Sequence, residues 1–391
     1  MCRGFNSLPD HKRWKRRVAQ PGSALRSGRR GRRFKSCHAD LESSTAPKHT
    51  LRGRCCFCSA SLLHTHQPAI SAMISSTSIL LPAALKRGDT IGVVAPSSPQ
   101  RDDERLKAGI RYFESLGYRV VVGENLWKRY GYLAGTDQER IADLNAMIRN
   151  PQVKMIIAGR GGYGMTRILH HVDYRALRRS PKIIVGFSDL TALNLAVLRK
   201  CAMASFSGAM PGVDFWNPTQ VDPFAEEHFW RAVTSRRPLG TIRQPENSPI
   251  EGLHGGIAEG PLIAGNLTLV AALVGTPFFP KLRDGILLVE EIGEEAYRVD
   301  RLFSQLHNAG QLAAIGGLAF GQFTNAKPTR VSVEPLPMEE VFAEYVRRAG
   351  KPAIGGVLYG HIPTKLTLPL GVRCRIDGKR GTFRVMEPGV A

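Results

Sequence analysis

The sequence predicts an α/β protein built on a doubly wound parallel sheet, and three observations carry that expectation. From residue 85 onward, short β-branched runs alternate with segments of helical period. The runs hand over to the helical segments through corners rich in Gly, Pro and Ser, as the strands of an open parallel sheet do. No apolar run reaches the roughly 18 to 20 residues of a membrane span, so the 43% apolar content of the 391 residues is available for a globular core.

TIGVVAP (90–96) is the first strand and ends in Pro and Ser. Residues 101–116 have helical spacing, YRVVVG (118–123) is a strand, and 137–149 is helical. VKMIIAG (153–159) is a strand that opens into RGGYGMTRILHHV. KIIVG (182–186) is another, and its helix runs to about Arg199. Open parallel sheets collect their sites at the carboxyl ends of the strands. APSSP, GRGGYG and GFSD each follow a strand and are therefore expected on one edge. Residues 211–258 are rich in Pro, Asn and Gly, with a short helix near 223–234 and a linker at 236–250. This places one domain at 85–235 and a second at 251–387. The second reads as EGPLIAGNLTLVAALVGTP, the strand GILLVEE, a helix through YRVDRLFSQLHNAG, the strand IGGLAFGQF, a helix near 338–349, the strand IGGVLYG, and a closing hairpin in VRCRIDGKRGTFRVM.

The net charge of +21 suggests a nucleic-acid partner, but the charge is unevenly spread. Residues 1–72 hold 15 Lys and Arg against 3 Asp and Glu, and five of the seven cysteines. They show no sustained period and are expected to be a disordered or spurious leader. A basic nucleic-acid tail, a transit peptide and a metal site at CCFC (55–58) compete for this segment. The preferred reading is that VAQPGSALRSGRRGRRFKSCH (18–38) resembles the translation of a transfer-RNA gene, with Met73 as the start. Without the leader no nucleic-acid partner, membrane, metal or cofactor is expected. Cys201 and Cys374 are expected to be unpaired thiols, and without a secretory h-region the compartment is expected to be the cytoplasm.

Four places carry candidate chemistry. Ser188-Asp189 sits at a strand-to-helix corner, where both residue types are good helix caps. The alternative is a nucleophilic hydroxyl on a tight turn, although the elbow pattern G-x-S-x-G is broken by Leu190. GRGGYG (159–164) is either a tight turn or a loop whose N–H groups complete an oxyanion hole beside that of Asp189. In ILLVEEIGEEAYRVDR, Glu290 ends an apolar strand and can orient a histidine, whereas Glu291, Glu294 and Glu295 are expected at the surface or facing substrate. His361 alone among the six histidines after residue 72 ends an apolar strand. Ser188, Glu290 and His361 form the bare constellation, which spacing cannot bring together by itself.

Taken in order, IGVVAPSSP, AGRGGYGMTRIL, KIIVGFSDLTAL, EGPLIAGNLTLVAALVGTPFFP, LLVEEIGEEAYRVDRLF and VLYGHIPTKLTLPLG resemble the LD-carboxypeptidases, or muramoyltetrapeptide carboxypeptidases, a family that includes the microcin C self-immunity peptidases. The resemblance spans about 85–385. It implies a Rossmann-like N-terminal domain, a smaller α/β C-terminal domain and an active site at their interface. It implies Ser188 as nucleophile, His361 as base and then acid, and Glu290 as the holder of its imidazole. The N–H groups of Asp189 and Gly162 would hold the oxyanion. The implied substrate is a murein tetrapeptide cut before its terminal D-Ala, with no metal, and the implied assembly is a homodimer. Arg160 is the candidate for the substrate carboxylate. Glu291 departs from the family, where Asp is usual. Two other functions stay open: a self-immunity peptidase acting on peptidyl nucleotides, for which Trp216 is a candidate platform unless it packs under a loop, and an inactive cell-wall peptide-binding protein.

Overall fold

The computed structural model describes residues 79–217, 219–326 and 336–391, so the readings of residues 1–72 lie outside the described residues. The first five strands are β1 (Thr90–Val94), β2 (Arg119–Val122), β3 (Val153–Ala158), β4 (Ile183–Val185) and β5 (Ser205–Ser207). They are followed by β6 (Gly240–Thr241), β7 (Glu251–His254), β8 (Ile257–Asn266), β9 (Ile286–Ile292), β10 (Gly317–Thr324), β11 (Ala353–Gly355), β12 (Leu368–Leu370), β13 (Arg373–Asp377) and β14 (Thr382–Val385). They make two sheets, in the orders β12-β5-β4-β3-β1-β2 and β6-β14-β13-β8-β9-β10-β11-β7. The fold is α/β, as the alternation of strand and helix predicted.

In the first sheet β5, β4, β3, β1 and β2 run parallel. β1 and β4 are buried along their whole length and β3 at all but Lys154, which is why they read as continuous apolar runs. The flanking helices start where the sequence marks them. Asp102 caps Asp103–Ser115 by accepting from the Glu104 N–H, and Thr136 with Glu139 forms a capping box at Asp137–Arg149. The chain moves from β1 outward to β2 and then crosses to β3 on the other side, so the sheet reverses its order between β1 and β3. That is where open α/β sheets leave a crevice at their carboxyl edge.

In the second sheet β8 to β11 are parallel neighbours. β8 is long enough to serve twice. Its first half pairs antiparallel with β13, and its second half, Leu262–Asn266, pairs parallel with β9. Three features escape a reading of the sequence. β6 falls inside the 236–250 stretch expected to be a linker and pairs with β14. The strand in IGGVLYG is only Ala353–Gly355. β12 leaves the second half of the chain to pair antiparallel with β5 in the first sheet. We propose that 85–235 and 251–387 act as two domains, the second lending β12 to the first. Among the described residues no helix is long and apolar enough to cross a membrane. Cys201 and Cys374 are both buried free thiols, as expected.

One buried charge gives a pH-dependent stability. Lys182, just before β4, is 2% exposed, and its ammonium donates to Asn150 O (2.7 Å) and Val153 O (2.6 Å). Burial pulls its pKa down to about 8, against an ordinary value of 10.5. Between those values the unfolded chain binds the proton that the folded chain has released, so this residue's contribution to stability rises with pH. The difference in Tm between the wild type and Lys182→Met is expected to grow in favour of the wild type from pH 8 to pH 10. A difference that stays flat across that range contradicts this account of Lys182.

Candidate active site

The loops after β1, β3 and β4 converge at the crevice and are tied to one another. The Tyr163 N–H donates to Ser98 Oγ (3.1 Å) and Arg160 Nη1 to Pro99 O (3.0 Å). The Met165 N–H donates to the carboxylate of Asp189 (2.8 Å). Burial pushes the Asp189 carboxyl up, while that N–H draws it back down. Arg140, 1% exposed on the helix Asp137–Arg149, donates from Nη1 to both Pro96 O and Gly164 O, clamping the first loop to the second. The glycine loop can come this close because it has no side chains in the way. A Cβ on Gly161 would lie 2.9 Å from both Phe187 O and Ser188 Cβ, and Gly162 adopts φ +116°.

Ser188 does not cap a helix. It opens a short 3₁₀ turn, Ser188–Leu190, and neither that turn nor the helix Thr191–Cys201 has a side-chain cap. Instead Ser188 itself takes φ 62°, a left-handed conformation that costs a non-glycine residue of order 1–3 kcal/mol. A strained strand-to-helix turn of this kind presents a hydroxyl outward. The Ser188 hydroxyl holds no hydrogen-bond partner among the described residues and is half-buried.

Glu290 and His361 meet from opposite ends of the second half of the chain. Glu290 is fully buried near the end of β9, and His361 Nδ1–H donates to its Oε2 at 2.7 Å. Burial pushes the Glu290 carboxyl up, and the imidazole draws it down. With Nδ1 engaged, Nε2 is the nitrogen left to face a reactant. The His361 ring packs on Phe187, with ring centres 4.9 Å apart, and Phe187 directly precedes Ser188. Ser188 and His361 line the same cavity of about 490 Å³. Catalytic hydrogen bonds commonly tighten only once substrate is bound.

Arg160 and Gly162 line that cavity as well. Arg160 is half-buried, has no carboxylate within ion-pair distance among the described residues, and has its pKa pulled down by burial. Trp216 also lines the cavity rather than packing away under a loop, with the Arg105 guanidinium 4.2 Å from its ring centre. Glu291 corrects the expectation of a surface or substrate-facing role. It is 4% exposed and accepts from Asn266 Nδ2 (2.7 Å), Thr268 N–H (2.8 Å) and Thr268 Oγ1 (2.7 Å). Its carboxylate thereby fixes the turn from β8 into the next helix. The Asn266 N–H in turn donates to Thr191 Oγ1 (3.0 Å), three residues after Ser188. That network joins the serine corner to the strand ends beside Glu290. Among the described residues no cluster of His, Cys, Asp or Glu has the makings of a metal site.

Three residues of the site carry no local signal. Arg140 looks like an ordinary helix-surface arginine in its segment. Asp214 sits in the Pro-, Asn- and Gly-rich stretch 211–258 and Lys365 in GHIPTKL, yet they form an ion pair of 2.8 Å in the cavity wall. Only the fold brings them together.

The fold and cavity define a two-sheet α/β protein with serine, histidine and glutamate grouped at a strand-end crevice. Residues 91–208 match the model of the LD-carboxypeptidase N-terminal domain, and 259–376 match that of the LD-carboxypeptidase C-terminal domain. The chain is 36% identical over 310 residues to the probable murein peptide carboxypeptidase of Bacillus subtilis, covering 79% of this chain and 95% of that one. It superposes on the muramoyltetrapeptide carboxypeptidase from Oxalobacter formigenes with a TM-score of 0.66 at 32% identity, over 76% of this chain and 99% of that one. It also superposes on the microcin C7 self-immunity protein MccF in complex with aspartyl sulfamoyl adenosine, with a TM-score of 0.73 at 27% identity, over 80% of this chain and all of that one. The chain belongs to the LD-carboxypeptidase family, a family of peptidases.

Proposed function

We propose that this protein is a serine carboxypeptidase that hydrolyses the L,D bond before the terminal D-Ala of murein tetrapeptides, trimming recycled cell-wall peptides to tripeptides. The observation that carries the reading is the 2.7 Å bond from His361 to the buried Glu290, beside a serine held in a left-handed turn on the same cavity. His361 Nε2 takes the Ser188 proton as Oγ attacks the carbonyl carbon of the L-centre. The N–H groups of Asp189 and Gly162 receive the oxyanion. The tetrahedral species collapses, the C–N bond breaks, and His361 returns the proton to the departing D-Ala amine. Water then repeats the sequence on the acyl-enzyme and frees the tripeptide. Glu290 holds the imidazole in the required tautomer and stabilises its charge. No metal takes part.

The names of the relatives support murein peptides as substrate, and the uncompensated cation in the cavity supports a substrate with a terminal carboxylate. Arg160 is the group assigned to that carboxylate. Arg160→Gln is expected to lower kcat/KM for the tetrapeptide about ten- to a hundredfold, mostly through KM. A KM equal to that of the wild type removes Arg160 from this role.

The test of the function is D-Ala release from a murein tetrapeptide by the full-length protein, followed by mass spectrometry with chelator present. Release is expected, and its absence overturns the reading. A self-immunity peptidase is the second reading, favoured by Trp216 in the cavity and by the aspartyl sulfamoyl adenosine that MccF holds in its complex. Cleavage of a peptidyl sulfamoyl adenosine in place of the tetrapeptide supports it. Binding of the tetrapeptide with no turnover of either compound supports the third, an inactive binding protein. We propose a homodimer, which sedimentation equilibrium tests.

A further inference from the structure

Asp214 and Lys365 are unusual among the ion pairs of the described residues. Their side chains are 9% and 5% exposed, and no other pair has both members so deeply buried. Both also line the catalytic cavity. A buried pair recovers its desolvation cost only when its remaining hydrogen-bonding capacity is used. Asp214 is well supplied: one carboxylate oxygen lies 2.8 Å from the Lys365 ammonium in the ion pair, and the other accepts from the Met210 N–H at 2.8 Å. Lys365 is not. Its ammonium has three N–H donors, and its one polar partner among the described residues is Asp214, in the ion pair. It stands 5.3 Å from the ring centre of Phe187, the same ring on which His361 packs. An ammonium with donors to spare and its carboxylate partner therefore face the cavity beside the reacting groups. Arg160 belongs to the glycine loop, on the other side of Ser188 in the chain's path.

We propose that Asp214 and Lys365 are the specificity-determining pair for the residue on the acyl side of the scissile bond, and that they select a zwitterionic side chain. This rests on the carboxypeptidase reading above. meso-Diaminopimelate carries an amino group and a carboxylate on one distal carbon, three methylenes from its L-centre. Its carboxylate takes the spare donors of Lys365 while its ammonium lies against Asp214, so two opposed dipoles of charge close on each other. An L-Lys side chain offers only the ammonium, brings it next to that of Lys365, and leaves those donors unfilled. Selection then combines attraction for one substrate with repulsion of the other.

The test compares kcat/KM of the full-length protein on three tetrapeptides ending in D-Ala. Their third residues are meso-diaminopimelate, the same residue with its distal carboxylate amidated, and L-Lys. The expected result is a loss of about ten- to a hundredfold on amidation, and at least as large a loss for L-Lys. The neutral double variant Asp214→Asn, Lys365→Gln keeps the shape of the wall without a lone buried charge. In it the amidation penalty is expected to vanish. The substrate-side comparison in the wild type stands even if that variant does not fold. Equal rates on all three peptides overturn this proposal while leaving the carboxypeptidase reading intact. A penalty that persists unchanged in a folded double variant also overturns it. Failure to release D-Ala from any of the three overturns the carboxypeptidase reading itself.

Discussion

Ser188→Ala is expected to lower kcat for D-Ala release about 10⁴- to 10⁶-fold with little change in KM. The size follows from the role proposed for the hydroxyl. Without it there is no acyl-enzyme, and the remaining groups can only polarise the carbonyl for water. KM stays close to its value because the cavity walls, Arg160 included, are untouched. The fold is also expected to survive, since the hydroxyl holds no hydrogen bond among the described residues and caps no helix. The Tm of the variant should therefore match that of the wild type. A variant that keeps more than about a tenth of wild-type kcat removes Ser188 from the chemistry, because a group that only binds or caps produces effects of that smaller size.

The second large effect is expected at Glu290. Glu290→Gln preserves shape but removes the charge and can offer an amide N–H to His361 Nδ1. That favours the tautomer with its proton on Nε2, which cannot accept from Ser188. A loss of about 10⁴-fold in kcat is expected, the scale seen when a buried carboxylate behind a catalytic histidine is replaced by its amide. The split between kcat and KM separates this from simple damage. Glu290 acts through His361 and does not itself line the cavity, so KM is expected to stay close to the wild-type value while kcat falls. A Glu290→Gln enzyme with near-normal kcat would assign Glu290 a structural role only.

How far the sequence discloses all this varies from residue to residue. β1, β3 and β4 are legible because burial on both faces leaves runs of Val and Ile that nothing else explains. The helix Asp137–Arg149 announces itself through T-D-Q-E, whose capping box forms as written. β5 and β12 are not legible. Each is three residues long, and their pairing spans more than a hundred and fifty residues, so no local period marks either. The serine corner illustrates a different limit. Locally, Ser-Asp before a helix is as good a cap as a nucleophile, and only the dihedral at Ser188 separates the two. Glu291 misleads because four glutamates in six residues suggest a solvated turn. The structure buries this one by giving its oxygens Asn266 and Thr268 as donors. Asp214 and Lys365 are hidden for the same reason as β12, since a tertiary contact joins segments that carry no sign of each other.

The most direct test of the central claim, that Ser188 is a nucleophile, is to trap its acyl-enzyme. A tetrapeptide analogue ending in D-lactate has an ester in place of the scissile amide. It acylates readily, so deacylation becomes limiting and the intermediate accumulates. The full-length protein is mixed with this ester, quenched in acid, digested and mapped by mass spectrometry. An acyl group of tripeptide mass on Ser188, absent from Ser188→Ala, is the predicted result. Release of D-lactate at an undiminished rate by Ser188→Ala, with no adduct on Ser188 in the wild type, would contradict the account.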